Sequence, residues 1–101
     1  MNCVFCAISS DAYIIENDCF FAIKDKRPVS KGHCLIVSKR HSPDFFSLSP
    51  IEASSLLDIT KKLKEYLDAE YCPPSYNLLM NCGARAGQTV FHYHLHVIPR
   101  Y

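Results

Sequence analysis

Three histidines alternate with other residues near the end of the chain, at His92, His94 and His96. Successive side chains of a β-strand point to opposite faces, so the three imidazoles would share one face. The opposite face would carry Phe91, Tyr93, Leu95 and Val97. One histidine at such a position is often only the polar side of an amphipathic strand, but three in alternation indicate a chemical site.

The spacing limits what these histidines can do together. At about 3.3 Å per residue, His92 and His96 would be roughly 13 Å apart at the backbone. Neighbouring histidines could share a metal ion at Zn–N distances of about 2.1 Å, but three could not converge on one ion from a straight strand. We therefore expect the three to have different roles.

A second motif lies at the other end of the chain, where Cys3 and Cys6 form a C-x2-C pair. This spacing is common as one half of a zinc site, although alone it also occurs in redox motifs and by chance. The sequence has six cysteines and no recognisable secretion signal, so we expect reduced thiols rather than disulfides. Metal binding or simple burial is then the expected use of these side chains.

Composition narrows the class of protein further. With 101 residues, we expect one domain covering residues 1–101. A formal net charge of +1 argues against the basic surface of a nucleic-acid-binding protein. No apolar run approaches the roughly 20 residues of a membrane span, so we expect a cytoplasmic protein without a membrane partner.

Strands and one helix would position these motifs. Apolar stretches at residues 19–25 and 32–38 predict a hairpin, and strands are also predicted at residues 76–82 and 90–100. Ser49, Pro50 and Glu52 form the start signal of a helix over residues 50–71, which the prolines at 73 and 74 end. This order predicts an α+β fold with an antiparallel sheet packed against the helix.

The motifs together resemble one known family. Residues 92–98 are similar to the H-x-H-x-H motif of the histidine triad (HIT) family, and residues 81–90 resemble its phosphate-binding loop. Asp25, Pro28, His33 and residues 39–41 extend the match over almost the whole chain. The resemblance implies a HIT-like fold with about five antiparallel strands, one main helix and a short helix.

The resemblance also implies a reaction: cleavage of a nucleoside 5′-phosphate from its leaving group. The matched residues assign His94 as the nucleophile that forms a transient nucleotidyl-histidine, and His96 as a contact to the phosphate oxygens. An ordinary imidazole, with a pKa of about 6.5, is mostly neutral at pH 7 and is a credible nucleophile. The phosphate-binding loop would contribute Asn81, Gly87, Gln88 and Thr89. Without the triad, residues 83–87 would more often be read as an ordinary hairpin turn.

Three further expectations concern the nucleoside. By resemblance Asp25 binds the ribose hydroxyls, although an aspartate there could simply initiate a turn. His33 matches a further active-site histidine of the family that supports the triad, with a structural histidine as the alternative. Phe21 and Ile23 are candidates for contact with the base, unless both are ordinary core residues.

A zinc ion and a second subunit are also implied. In the HIT branch with an N-terminal C-x2-C pair, the ligands that match here are Cys3, Cys6, His41 and His92. Four such ligands close the tetrahedron, so this zinc would be structural; the alternative is two reduced, metal-free thiols. HIT proteins are typically homodimers, and we expect the same here.

Two other functions fit the same residues. The chain could be a nucleotide-binding module without turnover, or a hydrolase in which triad histidines hold a catalytic zinc and metal-bound water attacks. The sequence leaves open whether the substrate is a dinucleoside polyphosphate, a phosphoramidate, an acylated nucleotide or a sugar nucleotide.

Overall fold

The computed structural model describes residues 3–101, so the first two residues of the predicted domain lie outside the described part of the chain. Its elements are β1 (Ile15–Glu16), β2 (Phe20–Lys24), β3 (Cys34–Ser38), α1 (Pro50–Tyr71), β4 (Ser75–Leu79) and β5 (His94–Arg100). The strands form one five-stranded sheet in the order β1-β2-β3-β5-β4, and every neighbouring pair is antiparallel. The predicted α+β architecture is confirmed.

The helix covers one face of the sheet because apolar side chains alternate along the central strands. One helical stripe is buried against this face, consisting of Leu56, Ile59, Leu63 and Leu67. It meets the inward residues of three strands, which include Phe20, Ala22, Cys34, Ile36, Leu95 and Val97. The opposite face is left for a smaller apolar cluster and for the remaining side chains of β5.

Local signals set the bounds of α1 as the sequence predicts. Ser49 accepts a hydrogen bond from the Glu52 backbone N–H at 3.1 Å, and the Glu52 carboxylate accepts one from the Ser49 N–H at 2.9 Å. This capping box satisfies amide groups that would otherwise lack partners in the first turn. The helix ends where Cys72 adopts a left-handed conformation with φ 49°, directly before the two prolines.

The predicted final strand begins too early. β5 starts at His94 rather than at residue 90, because its partner β3 ends at Ser38 and offers no further ladder to pair with. The chain before His94 turns away, and the Tyr93 N–H bonds to the Ser42 carbonyl instead. His92 therefore lies outside the strand, and Phe91 is exposed rather than packed.

Smaller differences concern short elements. The strand predicted over residues 76–82 is β4, which begins one residue earlier and ends at Leu79. The expected short helix is absent as an α-helix within residues 3–101, where 3-10 turns occur at Ser10–Ala12, Phe45–Ser47 and Ala84–Ala86. The two-residue strand β1 was not predicted, since it is too short to show alternation. No helix within the described residues has the length and hydrophobicity needed to cross a lipid bilayer.

Candidate active site

Two of the three histidines lie side by side on the face of the sheet away from α1. His94 pairs with Val37 and His96 with Leu35 across β3 and β5. Their ring centroids are 5.4 Å apart, and both side chains are partly exposed. The fold thus presents two imidazoles to solvent from a rigid central strand, with their backs against an apolar layer.

The backbone fixes which nitrogen of His94 is available. His94 Nδ1 lies 2.8 Å from the backbone carbonyl oxygen of His92. A carbonyl can only accept, so Nδ1 carries the proton and Nε2 of the neutral ring keeps its lone pair. The His94 ring also contacts the ring of Phe5, at 4.9 Å between centroids. This imidazole is oriented with one nitrogen free for nucleophilic attack.

His96 belongs to a buried polar network with His33 and Asp25. His33 Nε2 lies 3.0 Å from His96 Nδ1 and 3.4 Å from the Asp25 carboxylate. Burial lowers the pKa of both His33 and His96, the neighbouring histidines contributing to the shift at His96. Both rings are therefore favoured in the neutral form, in which each has one donor and one acceptor.

A wide apolar cleft of about 940 Å³ opens beside these histidines. Its walls come from the N-terminal segment and from β2 and β3, and include Val4, Phe5, Ile8, Tyr13, Ile23 and Leu35. Asp25 lies at the edge of the cleft, and its carboxylate is 3.8 Å from His96 Nδ1. The histidines border the cleft rather than line it, so a ligand in the cleft would extend past Asp25 to reach them.

The loop that precedes β5 is held by its own side chains. Gly83 and Gly87 have φ values of 99° and 97°, a conformation that favours glycine. The buried Gln88 amide accepts from the Gly83 N–H at 2.7 Å and donates to the carbonyls of Pro43 and Val90. Gln88 therefore braces the loop, whereas Asn81 and Thr89 are exposed. The Gln88 amide is thus engaged within the loop, and its contact with a nucleotide stays a prediction.

Four sulfur and nitrogen ligand groups meet at the base of the N-terminal segment. Cys3, Cys6, His41 and His92 place their ligand atoms within 4.8 Å of one another. Cys6 Sγ is 3.1 Å from His41 Nδ1, and Cys3 Sγ is 3.4 Å from His92 Nδ1. His92 Nε2 lies 2.7 Å from the Ser38 carbonyl, which leaves Nδ1 as the unprotonated nitrogen. Burial also lowers the pKa of His92, which favours the neutral ring that ligates metals.

The same architecture occurs in known proteins. A crystal structure of a HIT family protein from Bacillus anthracis matches with a TM-score of 0.91 and 42% sequence identity, covering 99% of this chain and 74% of that one. The family model that describes the HIT domain matches residues 8–101. The chain belongs to the HIT family.

Two relatives in the HIT family carry enzyme names. The adenylylsulfatase HINT3 of Arabidopsis thaliana is 36% identical, over 98% of this chain and 52% of its own length. The adenosine 5′-monophosphoramidase hnt1 of Schizosaccharomyces pombe is 34% identical, over 99% of this chain and 75% of its own length. Both names describe hydrolysis of adenylyl compounds. In each case the similarity covers almost the whole of this chain.

On this HIT fold, two groups of the residues expected from the sequence come together. Asp25, His33 and His96 meet in one network beside His94, and the four expected metal ligands meet in the other cluster. Asp25 Oδ1 also accepts a hydrogen bond from the Arg27 N–H at 2.8 Å, as the turn-forming alternative expects. The other oxygen, Oδ2, is the one near His33.

Of the two residues expected to contact the base, one lines the cleft. Ile23 lines the cleft, but Phe21 is not among the lining residues and lies stacked against Tyr13, with ring centroids 4.1 Å apart. Phe5, Ile8 and Tyr13 also line the cleft and were not predicted from the sequence. The only signal was a set of apolar residues in a segment without periodicity.

Proposed function

We propose that this chain is a nucleotidyl hydrolase or transferase that works through a covalent intermediate on His94. Family membership and the enzyme names of two relatives support a nucleotide hydrolase in general. The observation that carries the specific mechanism is the 2.8 Å contact between His94 Nδ1 and the His92 carbonyl, which directs the free lone pair to Nε2. A metal-bound water is not required as the nucleophile in this scheme.

The reaction proceeds in two displacements at phosphorus. The Nε2 lone pair of His94 attacks the α-phosphorus, the bond to the leaving group breaks, and the departing oxygen or nitrogen takes that electron pair and a proton from solvent water. The Nδ1–H donated to the His92 carbonyl stabilises the positive charge that develops on the ring. Water then attacks phosphorus and gives up a proton to solvent, the P–N bond breaks, and the electron pair returns to Nε2 as the nucleoside monophosphate leaves.

Each part of the site has a place in this scheme. The apolar cleft is large enough for a nucleobase and offers its walls for packing. Asp25, at the cleft edge, accepts hydrogen bonds from the ribose hydroxyls, and His96 with the loop around Gly87 and Thr89 meets the phosphate oxygens. A nucleotide in this orientation places its α-phosphorus next to His94 Nε2. Positioning and aligned hydrogen-bond donors then supply most of the catalysis.

A panel of substrates tests the reaction type. Purified protein is incubated with a dinucleoside polyphosphate, a nucleoside phosphoramidate and an adenylyl sulfate, and the products are separated by chromatography. We expect a nucleoside monophosphate from at least two of these leaving groups, and none in His94→Asn, which retains a polar group of similar size. Binding without product in the wild type would identify a nucleotide-binding module instead.

We propose, second, that Cys3, Cys6, His41 and His92 hold one structural zinc ion. With Zn–N near 2.1 Å and Zn–S near 2.3 Å, the ligand atoms of a tetrahedral site lie roughly 3.3 to 3.8 Å apart. Two of the three Cys–His contacts, at 3.4 and 3.5 Å, fall in that range, and the third, at 3.1 Å, is slightly shorter. Bound zinc would supply four ligand bonds that tie the N-terminal segment to His41 and to His92, two residues before β5. Because this segment carries Phe5, the metal would also fix one wall of the cleft.

Metal removal should therefore affect binding more than chemistry. Elemental analysis of freshly purified protein is expected to give one zinc per chain. After chelation we expect a lower melting temperature and a higher KM, with chymotryptic cleavage appearing first at Phe5 or Tyr13. Ser10→Ala is a matched control on the same segment that leaves all four ligands in place. Protein that is pure, active and free of zinc would contradict this proposal.

A further inference from the structure

A backbone amide outside the triad is hydrogen-bonded to His33, the histidine that contacts His96. The Val29 N–H donates to His33 Nδ1 at 3.1 Å. A ring nitrogen that accepts from an amide cannot carry a proton, so the proton of neutral His33 is on Nε2. This nitrogen faces His96 Nδ1 at 3.0 Å, and the Asp25 carboxylate only at 3.4 Å.

The direction of the second hydrogen bond follows from the first. Since His33 Nε2 is the donor, His96 Nδ1 must accept, and the proton of neutral His96 is then on Nε2. His94 has the opposite arrangement, with its proton on Nδ1 bonded to the His92 carbonyl. We propose that the Val29 amide, acting through His33, holds His96 as an Nε2–H donor beside the Nε2 lone pair of His94.

This arrangement also excludes another use of the same three residues. Asp25, His33 and His96 are close enough to share a metal ion. Ligation through His33 Nε2 would move the ring proton to Nδ1, where it would face the Val29 N–H, and two donors cannot pair. His33 is thus a positioning residue whose Nε2 proton is directed at His96. The loop between β2 and β3 fixes this tautomer through the Val29 N–H.

The catalytic consequence rests on the proposed function. Two neighbouring imidazoles with opposite tautomers give a nucleophile and a hydrogen-bond donor on the same face of β5, 5.4 Å apart between ring centroids. His96 Nε2–H can bond a phosphoryl oxygen while His94 Nε2 attacks phosphorus. Burial lowers the pKa of His33 and of His96, which favours the neutral rings that the relay requires.

Nitrogen NMR reads the tautomers directly. Long-range proton–nitrogen spectra of ¹⁵N-labelled full-length protein at neutral pH are assigned by loss of signals in His94→Ala and His96→Ala. We expect a protonated Nε2 and unprotonated Nδ1 for His96, and the reverse for His94. A wild-type spectrum with the His96 proton on Nδ1 would overturn the proposal without any further variant.

Two variant pairs test the relay itself. Val29→Pro removes the amide donor, whereas Val29→Ala keeps it; we expect averaged His96 nitrogen shifts only in Val29→Pro. His33→Phe should release the tautomer in the same way, and His33→Gln should preserve it because its amide can still donate to His96. This second pair decides the matter if Val29→Pro does not fold. An unchanged His96 tautomer in folded Val29→Pro or His33→Phe would refute the relay.

Kinetics separate this inference from the proposed function. We expect kcat to fall about 100-fold in Val29→Pro relative to Val29→Ala, with a smaller change in KM, as for loss of one aligned donor. Expected tautomers without turnover in the wild type would sustain the relay and refute the proposed function. Turnover in a wild type that has the wrong tautomers would sustain the proposed function and refute the relay.

Discussion

His94 and His96 occupy equivalent positions in the motif, but their ring nitrogens have different hydrogen-bond partners. His94 is bonded to a carbonyl two residues before it, and His96 is bonded to His33, which is 63 positions away along the chain. The first contact is local and follows from the motif. The second depends on how β3 and β5 are paired, so the sequence pattern alone cannot assign it.

Asp25 provides a prediction at this scale. We expect Asp25→Ala to raise KM roughly 10- to 100-fold, because a carboxylate that accepts ribose hydroxyls contributes about 1.5 to 3 kcal/mol. The change in kcat should be smaller, since the ribose contacts exist in both ground and transition states. Steady-state kinetics on a nucleoside phosphoramidate measure both constants.

Asp25→Asn serves as the control for local structure. Its side-chain oxygen can still accept from the Arg27 N–H, the bond that Asp25 makes at 2.8 Å. The asparagine variant should therefore keep the turn and lose only part of the affinity. An unchanged KM in Asp25→Ala would remove this residue from the nucleotide site.

Element-scale features were predictable where the signals are local. The bounds of α1 follow from Ser49, Glu52 and the two prolines, all of which act within a few residues. The predicted start of β5 was wrong because the strand begins where its partner β3 ends, and β3 lies about 55 residues earlier in the chain. The cleft wall from Phe5 and Tyr13 was missed for the same reason, since an irregular segment carries no period that reveals its packing.

Glu52 links the helix to the segment that carries His41. Its carboxylate accepts from the Arg40 guanidinium at 2.8 and 3.0 Å, and from the Ser49 N–H. The hydrogen bonds from Arg40 and then from the Ser49 backbone lower the pKa of Glu52 from 4.5 to about 2. We expect Glu52→Gln to reduce the free energy of unfolding at neutral pH by about 1 to 3 kcal/mol, measured by urea denaturation.

The pH dependence of this contribution has a defined sign. A carboxyl whose pKa is lower in the folded state stabilises the fold above its unfolded value and loses that effect as pH falls. The wild type should lose the Glu52 contribution between about pH 4.5 and pH 2, and the gap to Glu52→Gln should close over the same range. Parallel acid-unfolding curves for the two proteins would show that Glu52 is not the responsible group.

The whole molecule has an open edge. β4 pairs only with β5 among the described strands, and its Leu78 and Leu79 are 56% and 48% exposed. An unpaired strand edge with apolar side chains readily joins a second copy. We propose that the chain is a homodimer through this edge, as the resemblance to HIT proteins implied.

Light scattering after size-exclusion chromatography tests this assembly. We expect twice the mass of an 11.5 kDa chain for the wild type and for Leu78→Met, and a monomer for Leu78→Lys. A buried lysine at the interface would be unpaired, which opposes association. A monomeric wild type at micromolar concentration would contradict the dimer but leave the active site unaffected.

A covalent intermediate on His94 can be located by mass spectrometry of a quenched reaction. The protein is mixed with a nucleoside phosphoramidate, quenched without acid because phosphoramidate bonds are acid-labile, digested and mapped. We predict one nucleotidyl group, on the peptide that carries residues 92–96, with fragment ions that assign it to His94. The adduct should persist longer in His96→Ala and be absent in His94→Ala. An adduct on His92, His96 or a cysteine, or full turnover by His94→Ala, would contradict the account.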